Sequence, residues 1–396
     1  MDTGKKIQYL EGIRGVAAMM VVMHHFLLAF FPSYYFGGDP ATAHLPHQLE
    51  LRYWQNPLSV FTNGEFMVAL FFVLSGYVLS RSYFQKPQIE TLVSGASRRF
   101  LRLYIPLAVA LILAFIALRC NFGLIPKTVD YTHSSWLTGT ALGDRTIKSF
   151  LPHLLYNTMF NVDNVYVTSS WTISLELYGS IMVFALLALT HRTSGKWFFF
   201  ITTGLVAYFL FNDFYMAFII GIFLNYLERI PLEKIRLRWL IVSVLLIAGL
   251  FMGGFPTWQF CPDKETFYKF ATAPIFANNT NTIHFIGAAL VIMAAMLSKT
   301  FQKIFSGKLF VFLGDISFSA YLIHPIIVTT LSLWVFLTTV HATHKYSLSV
   351  LVSLIVTIAA TLIMGKIMTV FVDKPGVRFS KYFYNRFFKS KEESLA

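Results

Sequence analysis

The sequence predicts an all-α, polytopic membrane protein with about ten transmembrane helices and both termini in the cytoplasm. Three observations predict it. Hydrophobic residues make up 56% of the 396-residue chain and charged residues only 13%, far from the balance of a soluble domain. The apolar residues gather into runs near 7–31, 66–83, 100–119, 171–190, 197–211, 214–228, 238–255, 281–298, 309–338 and 347–371, most of them close to the ~20 residues that a helix needs to cross a bilayer. Lys and Arg are also placed asymmetrically. With the N-terminus inside, 24 of the 32 fall on the inner side or at inner helix ends and eight outside, as the positive-inside rule requires.

The first run, IQYLEGIRGVAAMMVVMHHFLLAFF, carries Glu11, Arg14, His24 and His25. An ionisable group within a span costs at least ~2.5 kcal/mol on insertion scales and so marks a protein-facing site or pathway. Arg14 and His25 are eleven residues apart, within about 20° of three full turns, so they share one face about 16 Å apart along the axis, while His24 points aside. Each also has a structural reading: Arg14 as an anchor whose stem snorkels to water, a histidine as a helix–helix hydrogen bonder. Their common face, with Glu11 one turn from Arg14, favours two stations along one cavity. Lys5 and Lys6 before an apolar run resemble a secretory signal, but Glu11 and Arg14 interrupt it and no cleavage site is evident, so the segment is expected to stay as the first span.

The second run holds Ser75-Gly76-Tyr77, small residues that let helices approach closely. After it, SRRFLRLYIP places Arg98, Arg99 and Arg102 around the start of the third span. Cations there oppose the helix dipole, and Arg99 and Arg102, three apart on one face, suit a phosphate-rich ligand; ordinary positive-inside charge is the alternative. The fourth run begins SSWTISLE. Glu176 lies about 7–8 Å below the outer helix end and His25 about 9 Å below its own, so the carboxylate is expected beside the imidazole, where it would fix the ring's tautomer; Ser or Trp donors on neighbouring helices are the other reading. The fifth and sixth runs are short and joined by Asn212-Asp213. In the ninth, LGDISFSAYLIHP sets His324 before Pro325, and a kink or break is expected there.

The remaining features narrow the class. The +13 net charge would suit nucleic acid, but no basic block is interleaved with stacking aromatics, so no nucleic-acid partner is expected. No Cys/His spacing suits a metal. Cys120 and Cys261 both fall outside, where a disulfide or two free thiols are equally compatible with the sequence; Asn278-Asn279-Thr280 is a glycosylation sequon. The long polar segments 32–65, 120–170 and 256–280 are assigned outside, where an acceptor could be shaped. Nothing in the chain signals its oligomeric state.

Taken in order, YLEGIRGVAAMMVVMHHF, FFVLSGYVLS, SRRFLRLY, SSWTISLELY, FLGDISFSAYLIHP and FVDKPGVRF resemble the successive landmarks of the acyltransferase-3 family of membrane proteins, over about residues 7–380. The family's Arg, ten residues, His pattern falls on Arg14 and His25, and its Arg-x-x-Arg pattern on Arg99 and Arg102. One departure is YLEGIRG, where many members have Asp before the Gly. The resemblance implies a single acyltransferase-3-like transmembrane domain over 1–380, followed by a basic cytoplasmic tail, 381–396, in a plasma membrane (the inner membrane in a Gram-negative cell). It implies transfer of an acyl group, commonly acetyl, from cytoplasmic acyl-CoA to a hydroxyl of an extracytoplasmic carbohydrate or lipid-linked acceptor, with no permanently bound cofactor. No esterase-like domain is expected at either end, so direct handover is the simpler case. Arg98, Arg99 and Arg102 would hold CoA phosphates, with Arg14 at the inner mouth. His25 would act as general base or acyl-carrying nucleophile, and Glu176 would orient His25 or contact the acceptor. His24, Ser75, Trp171 and His324 complete the candidate set. Two rivals use the same residues: a transporter or flippase with Arg, His and Glu as relay or clamp, and a noncatalytic signalling protein on the same scaffold.

Overall fold

The computed structural model describes residues 7–36, 42–54, 56–120, 123–140, 143–193, 196–206, 213–228, 237–256, 267–268 and 280–388. Among these residues the chain is helical, without a strand. The main helices are α1 (Gln8–Phe30), α2 (Gly64–Gln85), α3 (Ile89–Cys120), α4 (Leu124–Thr132), α5 (Ser135–Gly139), α6 (Trp171–Leu189), α7 (Lys196–Val206), α8 (Phe214–Leu227), α9 (Arg238–Gly253), α10 (Thr280–Leu297), α11 (Lys308–Ile327), α12 (Leu333–Thr343), α13 (Tyr346–Met368) and α14 (Lys374–Phe387).

Each of the ten apolar runs contains a helix. Seven helical stretches are long and apolar enough to cross a membrane, while α8 and α9 are shorter and α7 stops at the edge of the described residues. The third span is longer than the sequence suggests, because the polar stretch from Ile89 continues the same helix. Pro325 does not break the ninth span. The helix passes through it into a five-residue π turn, Val328–Ser332, and on into α12. A second π turn, Thr369–Asp373, joins α13 to α14, so one helical run extends from Tyr346 to Phe387. Cys261, Asn278 and the Asn212 junction lie outside the described residues; Cys120 is exposed at the end of α3.

The solvent of this fold can be read from α13. Leu351, Ile355, Ile363 and Ile367 point outward, spaced by fours or eights as one helix face requires. The opposite face buries Ser349, Ser353, Thr357, Thr361 and Thr369. Ser353 donates to the Ser332 carbonyl at 2.8 Å, Thr357 and Ser332 share a hydrogen bond at 2.5 Å, and Thr369 donates to Ser319 at 2.9 Å. Apolar outside and hydroxyls inside is the arrangement a bilayer selects, since lipid offers no hydrophobic drive between helices and polar groups must pair with protein. The protein is a multi-pass membrane protein.

Packing converges on α1, which lies against α11, α2 and α13. Small residues set the spacing. A Cβ on Gly76 would come within 2.1 Å of the Phe218 carbonyl oxygen, so the Ser75-Gly76 step is where α2 and α8 meet at backbone distance. The end at which α1 starts and α14 packs on α3 is called the near end below; α1 finishes at the far end.

Candidate active site

Helices α1 and α11 run parallel and touch at Gly15 and Gly314. A Cβ on Gly15 would sit 2.4 Å from the Gly314 nitrogen, and one on Gly314 would sit 2.3 Å from the Glu11 carbonyl oxygen. Only two glycines permit that approach. It sets the register of both helices, with Arg14 next to Asp315 at the near end and, ten or eleven residues on, His25 opposite His324.

Below that second level is a cavity of about 300 Å³ lined by Glu11, Arg14, Arg99, Arg102, Glu176 and Asp315, among others. Arg14 donates to Glu11 at 3.0 Å. Arg99 is 7% exposed and pairs with Glu176, beside which lies Ser75. Asp315 accepts from Lys366 at 3.3 Å and Lys374 at 2.8 Å. Arg102 has no hydrogen-bonded or ion-paired carboxylate among the described residues, and the buried Nε of Arg99 has no partner. A buried donor left unmade costs its full desolvation penalty, so this wall has unfilled capacity for an anion.

The roof of the cavity is Phe71, Thr172 and Tyr321. The Phe71 and Tyr321 rings meet edge to face, centroids 5.7 Å apart. Thr172 and Tyr321 share a hydroxyl hydrogen bond at 2.9 Å, and Ser169 donates to the Tyr321 carbonyl at 3.0 Å. Neither His25 nor His324 lines the cavity; they lie beyond the roof, His324 with its ring 5.8 Å from that of Tyr321.

The two histidines are joined, His25 Nδ1 to His324 Nε2 at 2.9 Å. The fully buried His324 also has its Nδ1 3.2 Å from the Ala320 carbonyl. A carbonyl only accepts, so His324 Nδ1 carries the proton. In the neutral ring Nε2 is then an acceptor, and His25 Nδ1 must be the donor to it. His25 Nε2 is left as a lone pair, in a ring flanked by Trp136 at 5.3 Å.

Several expectations change. Glu176 is not beside His25; its partner is Arg99, and the partner of His25 is His324. The depth match fails because α6 does not start at the surface. Ser169 and Ser170 are fully buried, so Glu176 lies a turn nearer the middle than a count from the outer surface implies. The arginines do not surround a helix start either. Arg99 is ten residues, about 15 Å, into α3. Arg98 donates back to the Ser94 carbonyl at 2.8 Å and is not among the residues lining the cavity; Arg99 and Arg102 are. Trp171 packs on Phe214, away from the cavity. His24 turns aside, as the helix geometry requires, with Nδ1 2.9 Å from the Thr62 carbonyl. Tyr321 and Asp315 were overlooked, although both stand in the motif that contains His324; three-residue spacing puts Tyr321 beside that histidine. Trp136 lies in α5, a helix too short for periodicity to reveal its register.

Comparison with known proteins agrees with this architecture. Residues 7–366 match the acyltransferase-3 model, described as an acyltransferase domain. Over 128 residues, 31% of this chain, the sequence is 34% identical to "Protein 2 in picA locus" of Rhizobium radiobacter, and the match spans about half of that relative, 52%. No solved structure matches the chain significantly. With more than nine-tenths of its length under the family model, the chain belongs to the acyltransferase-3 family of membrane acyltransferases.

Proposed function

We propose that this chain is an O-acyltransferase that takes an acyl group, acetyl in the simplest case, from acyl-CoA on the cytoplasmic side and places it on a hydroxyl of an extracytoplasmic carbohydrate or lipid-linked acceptor. The near end, where α1 starts and α14 lies, is then cytoplasmic. CoA phosphates lie against Arg102 and the unpartnered Nε of Arg99, where guanidinium geometry suits them, and the pantetheine arm rises past Arg14 to the Phe71–Tyr321 roof. The thioester passes that roof to reach His25.

The observation that supports this reading most is the hydrogen-bond chain from His25 through His324 to Ala320, which leaves His25 Nε2 as a proton acceptor. As the acceptor oxygen attacks the thioester carbonyl, His25 takes its proton. The new C–O bond forms, the C–S bond breaks, and the proton passes to the leaving sulfur, giving an ester and the CoA thiol. His324 orients the His25 ring and accepts from it throughout, so the imidazolium formed in passing is not left unpaired.

Mass spectrometry of surface carbohydrates from cells with and without the gene tests the reading, together with acetyl-CoA consumption by the purified chain. The expected result is one acyl group's mass per modified unit, present only with the gene, and CoA thiol released in step with ester. Identical carbohydrates and no acetyl-CoA consumption would overturn it.

A further inference from the structure

A second, smaller cavity of about 40 Å³ lies at the far end. Its wall begins at Pro325, the residue after His324, and includes Thr329 and Thr330, Thr168, Thr140 and Ala117 of α3. Thr140 closes the turn of α5, its N–H donating to the Trp136 carbonyl at 3.1 Å, and the Trp136 ring contacts His25. His324 therefore adjoins this wall in sequence, and His25 is linked to it through the Trp136 ring and the turn to Thr140, although neither histidine lines it.

Among the described residues no charged side chain lines the chamber, and its wall is mixed, with apolar Leu118, Ile125, Val165 and Ile326 between the threonines. Thr329 donates to the Pro325 carbonyl at 2.8 Å, Thr330 to Ile326 at 2.5 Å and Thr140 to Leu137 at 2.7 Å. Their protons are spent, and their oxygens keep lone pairs that can accept from a ligand. Thr168 differs, because its buried hydroxyl has no hydrogen-bond partner among the described residues. A buried hydroxyl without a partner is costly, and a visiting polar group would satisfy it. The π turn Val328–Ser332 carries Thr329 and Thr330, and such turns recur where a helix is shaped around a site.

We propose that this chamber seats the acceptor, and that the part it takes is one uncharged, hydroxyl-bearing carbon, such as the hydroxymethyl arm of a sugar. The assignment rests on the acyl-transfer reading above. Size sets the first limit: a water needs about 10–15 Å³ of such space, so the chamber admits a few atoms and leaves the rest of the acceptor outside. Charge sets the second, since burying an unpaired carboxylate or phosphate here would cost far more than the threonines return. The seated alcohol gives its proton to His25 as its oxygen bonds to the acyl carbon and the CoA sulfur departs.

The test uses the full chain in lipid nanodiscs with radiolabelled acetyl-CoA as donor, and glycerol and glycolate as probe acceptors; glycolate carries its carboxylate on the hydroxyl-bearing carbon itself, so the charge cannot stay outside the chamber. Ester formation with glycerol is expected to exceed that with glycolate at least tenfold. Thr168→Val keeps the shape and removes a hydroxyl with no hydrogen-bond partner among the described residues, so it should leave the fold and the acetyl-CoA KM unchanged and lower kcat/KM for glycerol about 3- to 10-fold, the worth of one hydrogen bond. Ala117→Leu, which fills the chamber, should block transfer to glycerol with donor binding intact. Transfer to glycerol that ignores both substitutions, or equal use of glycolate, would overturn the acceptor seat while leaving acyl transfer standing. No acetyl-CoA consumption by the wild-type chain with any alcohol would instead defeat the underlying function.

Discussion

The cavity below the Phe71–Tyr321 roof and the small one whose wall begins at Pro325 differ in nearly every physical respect. The near cavity holds about 300 Å³ and is lined by Arg14, Arg99, Arg102, Glu11, Glu176 and Asp315; the far one holds about 40 Å³ and has no charge in its wall. Both lie within the fold, yet only the near one keeps open capacity for an anion. The contrast argues for two different reactants, a large anionic one at the near end and a small neutral group at the far end, with the His25–His324 pair linked to the first wall through Tyr321 and to the second through Pro325 and Trp136. A transporter moving one substrate through both chambers would need walls of compatible chemistry, and these are not.

The largest effect that could break this comparison is at the histidines. His25→Gln retains a hydrogen-bonding side chain but cannot take up a proton, so acyl transfer measured with radiolabelled acetyl-CoA should fall about 10²–10⁴-fold, the range for loss of a general base. His324→Ala removes the group that orients His25 and should reduce kcat with little change in either KM. Near-normal turnover in His25→Gln would remove the chemistry from the histidine pair.

Next comes the Arg99–Glu176 pair. Glu176→Gln leaves a buried guanidinium without its counter-charge, a change that typically costs about 3–5 kcal/mol. Thermal unfolding in detergent should report that loss, and the double variant Arg99→Met with Glu176→Gln should recover much of it. If Glu176→Gln unfolds like the wild type, Arg99 is better hydrated than its burial indicates.

Arg102 sharpens the comparison further because it is exposed and has no carboxylate partner among the described residues. Arg102→Ala should raise the acetyl-CoA KM about tenfold without altering the melting temperature or the acceptor KM, and Arg102→Lys should restore only part, since lysine lacks the bidentate fork. Equal effects on donor and acceptor would place the donor elsewhere. The smallest effect is expected at His24, which is turned to the Thr62 carbonyl rather than to α11. His24→Ala should lower expression or stability while changing turnover by no more than a few-fold.

How much of this was legible in the sequence depends on whether it followed from local periodicity. The separation of Arg14 from His25, and of His25 from His24, follows from 3.6 residues per turn, and the structure keeps both on α1. The ten apolar runs are likewise legible because a bilayer requires them. Partners across helices were not. Glu176 was set beside His25 by counting from a surface that α6 never reaches, since the preceding serines are already buried. Arg99 was set at a helix start because the polar residues 89–98 masked the continuation of α3. The Gly15–Gly314 crossing explains why LEGIRG and LGDIS belong together, but glycines in one helix do not identify which other helix they admit. The small far chamber lay deepest from view, because it joins residues from α3, α4 and α11, the turn after α5, the segment before α6 and a π turn.

The central claim is that donor and acceptor approach the histidine pair from opposite ends. Proteoliposomes whose orientation is fixed by protease access to the C-terminus test it directly, with acetyl-CoA supplied on one side and a glycerol acceptor on the other. The account predicts ester only when acetyl-CoA is on the side of the near end, with the ester retained by an acceptor on the far side. Equal ester formation with acetyl-CoA confined to the far side would contradict it.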